Sequence, residues 1–330
     1  KNSNIIIGLL YPHIDYFCPK QIIMLKGSYS HLNPVSKLLL LIILVFSFLL
    51  FSLLLGILVL VPFFGSGVIS LIAAPDFADP TIVNALKVVQ MLNTTGGLLL
   101  PAILFMWLCN RHDSGSIYKL PHIPWLIAAS AALIIVAQPV VGLANELNSH
   151  LALPGWLSDV ESWMKDKENI NATVTEAFLS TVSASGFLIN VLMIAILPAL
   201  AEEILFRGAL AGLLKDWTKN MHAAVLISSL VFAAIHLQFY GFLPRFLLGV
   251  GLGYLFFWSG SIWLPVAAHF TNNFLSVFIE FLYRKGYIHT NAENFGANNA
   301  SWLTLLSITA ISAIIYFIYT KTIVKSPSKH

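Results

Sequence analysis

The chain has 330 residues, of which 58% are hydrophobic and only 10% are charged. A soluble domain carries roughly 25% charged residues, so this composition excludes an ordinary soluble protein and predicts a multi-pass membrane protein. The net charge of +3 is small and is spread along the loops. It gives no reason to expect a nucleic-acid partner.

The first 23 residues are mixed and weakly apolar, and Met24 is followed by Leu-Lys-Gly. Met24 is a candidate start, which would make residues 1–23 an artefact; the sequence leaves open whether they are native. They lack the short apolar core and cleavage site of a signal peptide. Residues 1–36 are predicted to be a cytoplasmic segment. The two cysteines, Cys18 and Cys109, suggest neither a disulfide framework nor a metal site.

Eight segments qualify as membrane spans, which need about 20 apolar residues each. They run near 37–63, 86–109, 123–145, 183–212, 222–240, 242–259, 261–283 and 302–321. The predicted fold is therefore an all-α, polytopic membrane bundle of about eight transmembrane helices, with one transmembrane domain over 37–321 and a cytoplasmic tail over 322–330. Pro101 and Pro265 are expected to kink their helices or to mark a point of access.

Basic residues predict the orientation, because loops rich in lysine and arginine stay in the cytoplasm. With eight spans, four basic clusters fall on one side of the membrane, and both termini are predicted to be cytoplasmic. These clusters are Lys26 with Lys37, Arg111 with Lys119, Lys215 with Lys219, and Lys321 with Lys325 and Lys329. Mild exceptions are Lys87, Arg245, Arg284 and Lys285. The short loops indicate a bacterial cell-membrane protein.

The loop over 146–182 falls on the other side of the membrane and is net acidic. It contains Trp156, Leu157, Val160 and Trp163, whose spacing predicts a short interfacial helix with aromatic anchors. We expect this helix to be a lid or a surface that rests on the membrane.

Ionisable side chains in an apolar span indicate function, since each costs about 2.5–3.5 kcal/mol even on the lenient insertion scale. The first such motif is Glu202, Glu203 and Arg207. Successive residues of a helix point about 100° apart, so the two glutamates face different neighbours. Glu203 and Arg207, four residues apart, are expected to form a salt bridge. Glu202 is then a free carboxylate and a candidate general base for water. The alternative to a catalytic role is that this segment is the end of a helix at the membrane surface, where water solvates the charged side chains.

The second motif is Phe232 with His236, placed inside the fifth predicted span. Phe232 lies one turn before His236 and is expected to form an apolar wall beside the imidazole. A single histidine on such a helix is more often a packing residue than a catalyst. Its partners in the other spans are what favour a catalytic role.

The third motif is His269 with Asn273, four residues apart on one face of the seventh span. An imidazole and an amide on successive turns can bind the same water, metal ion or oxyanion. The alternative is a structural hydrogen bond between helices from Asn272 or Asn273. In the sixth span, Gly249 and Gly253 are predicted to let two helices approach closely.

Three other hydrolase chemistries are disfavoured by missing residues. The chain has no His-Glu-x-x-His zinc motif and no pair of aspartates in the spans. Ser185-Gly186 is preceded by Ser183 rather than by the glycine of a membrane serine protease.

Taken together, Glu-Glu-x-x-x-Arg, Phe-x-x-x-His and His-x-x-x-Asn resemble the CPBP family. This family groups type II CAAX prenyl proteases with bacteriocin-processing and immunity-type membrane proteins. The order, spacing and span placement of the motifs match, and the resemblance covers about residues 186–283.

The resemblance implies a helical bundle that opens to the membrane and the cytosol. It implies hydrolysis of a membrane-embedded or lipid-anchored peptide by a water held between Glu202 and His236. His269 and Asn273 would bind the oxyanion or position the water, while Glu203, Arg207 and Phe232 would support them. The family is described both as metal-dependent and as a glutamate-type protease, so the cofactor is either none or one zinc ion on Glu202, His236 and His269. Prenylated substrates are not implied for the whole family.

Two other classes of function stay open. A non-catalytic immunity protein or peptide-binding scaffold could use the same bundle, although it would not need a free glutamate beside two histidines. A proton-coupled transporter would also use Glu and His, but it should carry charges across the whole bilayer and show internal symmetry, and the sequence has neither.

Overall fold

The computed structural model describes residues 25–110, 117–121, 123–150, 153–290 and 301–323. These residues are 85% helical, and no strand occurs among them. Apart from short 3-10 turns, they form ten helices. The helices are α1 (Pro34–Phe64), α2 (Val68–Ala73), α3 (Pro80–Cys109), α4 (Trp125–Ser149), α5 (Ser158–Leu179), α6 (Ala184–Thr218), α7 (Met221–Ala234), α8 (Phe242–Ser259), α9 (Trp263–Arg284) and α10 (Ser301–Ile323). This confirms the predicted polytopic helical fold. The predicted artefact at 1–23 and the tail after Ile323 lie outside the described residues.

Eight helices lie where membrane spans were predicted, and six of them are long and apolar enough to cross a bilayer. The two others are α7, which has only 14 residues, and α9, which carries the polar residues of the third motif. Eight membrane crossings therefore stay a prediction. The predicted fifth span over 222–240 is too long, because α7 ends at Ala234 and Leu237 adopts a left-handed backbone with φ +50°.

Prolines shape two of the long helices. A wider π-helical turn, Asn93–Leu99, precedes Pro101 in α3, and a second, Val191–Ile196, precedes Pro198 in α6. Proline cannot donate the i→i−4 hydrogen bond, so the chain widens where that bond is missing. Pro265 is the third residue of α9, where its missing N–H costs nothing, and it marks the start of that helix.

The acidic segment forms a longer helix than predicted. A 3-10 turn over Gly155–Leu157 leads into the 22-residue helix α5. Trp156 is 81% exposed and Trp163 is 47% exposed, as expected for aromatic anchors at an interface. Only the last turn of α5 (Ala177, Phe178 and Leu179) is buried.

Contacts between loops define two ends of the bundle. At the first, which we call the lysine end, Ser261 donates a hydrogen bond to the carbonyl of Lys119 and Lys215 lies over the ring of Phe257. At the other, the acidic end, the side chain of Asn148 donates to the carbonyl of Phe239, and α5 packs beside it. The basic residues of the lysine end are Lys26, Lys37, Lys119, Lys215, Lys219 and Lys321. The acidic residues of the acidic end are Asp76, Asp79, Glu146, Asp159, Glu161, Asp166, Glu168 and Glu176.

Close packing of α7 against α8 confirms the prediction for the glycine face. A Cβ on Gly253 would lie 2.9 Å from Cγ1 of Val225, and one on Gly249 would lie 3.0 Å from Cβ of Ser229. These distances are shorter than van der Waals contact, so the two helices approach as only glycine allows.

We expect Gly253→Leu to destabilise the protein by about 1–3 kcal/mol, because the added side chain must displace Val225 from a packed interface. Thermal unfolding in detergent micelles would measure this. Gly251→Leu is the matched control, since nothing lies within 4 Å of a Cβ at that position. Equal loss of stability in both variants would contradict the packing role.

Candidate active site

The first motif forms a buried ion pair inside α6. Nη1 of Arg207 donates to Oε1 of Glu203 at 2.9 Å, and the two side chains are 1% and 0% exposed. Nη2 of Arg207 donates to the carbonyl of Gly249 on α8 at 3.0 Å. The predicted salt bridge is therefore present, and it also fastens α6 to α8.

The same carboxylate oxygen holds the imidazole of α9. Nδ1 of His269 lies 2.7 Å from Oε1 of Glu203. A carboxylate only accepts, so Nδ1 carries a proton and the tautomer of His269 is fixed. Nε2 of His269 then points to Glu202, whose Oε2 lies 3.9 Å away. Glu203 thus orients His269 toward the neighbouring glutamate, as the carboxylate partner of a catalytic histidine does.

Glu202 has weaker contacts than Glu203, since its ion-pair contact is with Nε2 of His269 at 3.9 Å. Its side chain is 14% exposed, and among the described residues its buried Oε2 atom has no hydrogen-bond partner. Burial of an unpaired carboxylate oxygen is costly, so such a group indicates a functional role. Oε2 of Glu203 is likewise buried without a hydrogen-bond partner, so Glu202 differs from Glu203 in lacking the contacts that Oε1 of Glu203 makes with Arg207 and His269.

His236 lies just beyond the end of α7, at the start of a turn over 235–241. Its Nδ1 donates to the carbonyl of Phe232 at 2.7 Å. A carbonyl only accepts, so Nε2 is left as the acceptor of the neutral ring. Nδ2 of Asn171, on α5, reaches the carbonyls of His236 and Leu237 at 3.3 Å and 3.5 Å.

Phe232 brings the two imidazoles together. Its ring centroid lies 5.1 Å from the ring of His236 and 5.8 Å from the ring of His269, both in edge-on arrangements. The guanidinium of Arg207 lies over the same ring at 4.9 Å. Phe232 thus forms the expected apolar wall beside His236, and its ring also contacts Arg207 and His269, the two partners of Glu203.

Asn273 makes a structural contact. Its Nδ2 donates to the carbonyl of Ile194 on α6 at 3.0 Å, and its Oδ1 accepts from Asn272 at 3.2 Å. The interhelical hydrogen bond that the sequence left as an alternative is therefore present. Asn273 lies one turn beyond His269, so this bond sets the register of α9 against α6.

Arg245 is a site residue that the motifs do not include. Its guanidinium donates to both oxygens of Gln238, in the turn that carries His236, and it interacts electrostatically with Glu202, Glu168 and His236. No carboxylate within the described ranges forms an ion pair with it at 4 Å or less. Arg245 is the fourth residue of α8 and is an exception to the positive-inside rule, and that exception is the sequence signal that could have identified it.

The three residues named as zinc ligands do not form a metal group. Nowhere in the described part of the chain do three or more His, Cys, Asp or Glu side chains converge as a metal site requires. Nδ1 of His269 and Nδ1 of His236 are bonded within the protein, which leaves Nε2 as the only ring nitrogen of each that could bind a metal ion. We therefore derive no step through zinc. Cys109 is a buried free thiol, and Cys18 lies outside the described residues.

Comparison with known proteins identifies the segment that holds this geometry. Residues 184–275 match the model of the family described as Type II CAAX prenyl endopeptidase Rce1-like. The match confirms the family resemblance that the motifs predict. Every residue of the three motifs lies within the matched segment, from Glu202 to Asn273.

Two curated proteins of Bacillus subtilis (strain 168) are similar to part of this chain. "Uncharacterized protein YpbD" is 32% identical over 85 residues, which cover 24% of this chain and 40% of that protein. "Putative membrane peptidase YdiL" is 30% identical over 106 residues, which cover 32% of this chain and 42% of that protein. The chain thus spans less than half the length of these relatives. No solved structure matches it significantly.

We expect Arg207→Met to destabilise the protein by about 3–5 kcal/mol, because it leaves the buried carboxylate of Glu203 without its cation. Thermal unfolding in detergent would measure the loss, and Glu203→Gln in the same chain should recover part of it. Lys165→Met is the control, since it breaks the exposed pair with Glu161 and should leave unfolding unchanged. An unfolding temperature unaffected by Arg207→Met would contradict this account.

Proposed function

We propose that this chain is an intramembrane endopeptidase of the Rce1-like, CPBP type. It would hydrolyse a membrane-embedded or lipid-anchored peptide. The observation that carries the proposal is the buried Oε2 of Glu202, which has no hydrogen-bond partner among the described residues, next to a glutamate whose Oε1 is bonded to both Arg207 and His269. A bundle built only for stability gains nothing from an unpaired carboxylate beside two oriented imidazoles.

In this proposal Glu202 is the general base. Its Oε2 takes a proton from a water molecule as the water oxygen attacks the carbonyl carbon of the peptide bond. The same proton is then delivered to the amide nitrogen, the carbon–nitrogen bond breaks, and a carboxylic acid and an amine leave. Accepting a proton and then returning it suits Glu202, because its Oε2 has no hydrogen-bond partner among the described residues.

The imidazoles would position the water and the oxyanion. Nε2 of His236 is an acceptor for a water hydrogen when the ring is neutral, because Nδ1 is held by the carbonyl of Phe232. Nε2 of His269 faces the same region from the other side, since Nδ1 is held by Glu203. We propose that His269 donates a hydrogen bond from a protonated Nε2 to the negative oxygen while its Nδ1–H stays bonded to Glu203, and that Asn273 helps by fixing α9 against α6.

The substrate class and location follow from the bundle. Six apolar helices support a multi-pass membrane protein, and the basic clusters support cytoplasmic termini in a cell membrane. The family description names a prenyl endopeptidase, and one relative is named a membrane peptidase. The partner would be a peptide or a lipidated protein in the membrane, with no nucleic acid.

We expect Glu202→Gln to lower peptide turnover by about 100- to 10,000-fold, the contribution of a general base, while the protein stays folded. Cleavage of fluorogenic membrane-associated peptides, prenylated and plain, by protein in detergent would measure this. Glu146→Gln, an exposed carboxylate on α4, is the matched control and should keep full turnover. Folded wild-type protein that cleaves no peptide would favour the non-catalytic immunity or scaffold function.

We expect turnover to persist when a zinc chelator is present, because Glu202, His236 and His269 do not converge as a metal site requires. The same fluorogenic assay, before and after chelation and then with zinc restored, would measure this. Turnover that falls with the chelator and returns with zinc would contradict the metal-free chemistry and assign the ion to Glu202, His236 and His269.

A further inference from the structure

The residue that follows His236 has a strained backbone. Leu237 adopts a φ of +50°, in the left-handed region that is unfavourable for any residue with a Cβ atom. Such a conformation persists only where the surrounding structure holds it, and strained residues of this kind cluster at functional sites. The contacts that hold Leu237 therefore also determine how the chain leaves His236.

The side-chain amide of Asn171, on α5, contacts the peptide groups on both sides of Leu237. Its Nδ2 atom lies 3.3 Å from the carbonyl oxygen of His236 and 3.5 Å from that of Leu237. Peptide groups are planar, so the angle between these two carbonyls depends only on φ and ψ of Leu237. An amide nitrogen carries two hydrogens, and it can donate to both carbonyls only while Leu237 keeps these angles. The contact of Asn171 thus favours the strained conformation.

Two other side chains of α5 contact the turn farther along. Oε2 of Glu168 accepts from the backbone N–H of Tyr240 at 3.4 Å. The ring of Trp163 lies 5.3 Å from the ring of Phe239, centroid to centroid. These contacts place α5 over the turn, whereas Asn171 is the residue of α5 that bonds to the backbone of His236 itself.

Helix α5 lies outside the segment that matches the family model. It covers Ser158–Leu179, and the match begins at residue 184. Only the last turn of α5 (Ala177, Phe178 and Leu179) is buried, so the position of Asn171 depends on these contacts with the turn more than on packing in a core. The support of His236 is therefore a contribution of this chain beyond the three motifs.

We propose that Asn171 is a positioning residue for His236. The imidazole is fixed on one side by α7, because its Nδ1 donates to the carbonyl of Phe232. Its backbone is fixed on the other side by Asn171, through the carbonyls of His236 and Leu237. Together these bonds keep Nε2 of His236 where it can bind the reacting water beside Glu202. This inference rests on the proposed peptidase function.

The first test compares the kinetics of two alanine variants of α5. Asn171→Ala is expected to lower kcat by about 10- to 100-fold and to leave KM within about twofold, because a displaced catalytic group affects the chemical step more than binding. Asn169→Ala, an exposed asparagine on the same helix, is the matched control and should change neither constant. Equal kcat in the two variants would overturn the proposal, as would a raised KM with unchanged kcat.

Replacing Leu237 distinguishes positioning from a general loss of stability. Glycine adopts the left-handed region without strain, so the turn then depends less on Asn171. In the Leu237→Gly background we expect the effect of Asn171→Ala on kcat to be at least about threefold smaller than in the wild type. An effect of equal or greater size would overturn the proposal that Asn171 acts by setting the angles of Leu237.

Hydrogen exchange separates this inference from the proposed function, because it needs no turnover. Asn171→Ala should speed exchange of the backbone amides over 235–241 by about tenfold or more, as measured by mass spectrometry in detergent, whereas Asn169→Ala should not. If Asn171→Ala does not fold, Asn171→Asp takes its place, since a carboxylate of the same shape cannot donate to the carbonyls.

The two measurements have distinct outcomes. Faster exchange in the Asn171 variant, combined with wild-type protein that cleaves no peptide, would overturn the peptidase and keep the support of the turn. Cleavage that depends on Glu202, combined with exchange and kcat that do not change in the Asn171 variant, would overturn the role of Asn171 and keep the peptidase.

Discussion

One buried carboxylate oxygen, Oε1 of Glu203, fixes the arrangement on which the site depends. It accepts from Arg207 within α6 and from His269 of α9, and Arg207 extends the link to the backbone of α8. Burying a charge is costly, and the contacts of Oε1 with Arg207 and His269 offset part of that cost. The cost makes other packings of these three helices unfavourable, so the position of His269 relative to Glu202 is determined by electrostatics as well as by shape.

The shape of α6 is part of the same arrangement. A π-helical turn over Ile204–Ala211 begins directly after Glu203, and it contains Arg207. Such turns are rare and occur frequently at functional sites, where a wider turn redirects side chains. Here adjacent glutamates at the start of the turn serve two different partners. Glu203 faces the ion pair in the core, and Glu202 faces the partly exposed region between His236 and His269.

The sequence was sufficient to predict the helical bundle, the three motifs and the salt bridge, because each depends on spacing within one helix. The contact of Phe232 with His236 and the close approach at Gly253 were predictable for the same reason. It was not sufficient to predict that α7 ends at Ala234, since the left-handed Leu237 carries no local signal such as glycine. The contacts of Asn171 with His236 and of Arg245 with Gln238 depend on tertiary packing. The sequence allowed Asn273 either to bind a water, metal ion or oxyanion or to form a hydrogen bond between helices, and its spacing from His269 could not distinguish the two.

The length of α7 has a consequence for the lipid around the protein. Its 14 residues rise about 21 Å, whereas the hydrocarbon core of a bilayer is about 30 Å thick. A short apolar helix is accommodated by local thinning of the bilayer. If α7 crosses the membrane as predicted, the missing length lies at its ends, and His236 begins its turn just beyond one of them. Thinning of the bilayer there would bring headgroups and water close to the imidazole. Bilayer thickness would then affect how readily a polar peptide segment reaches this depth.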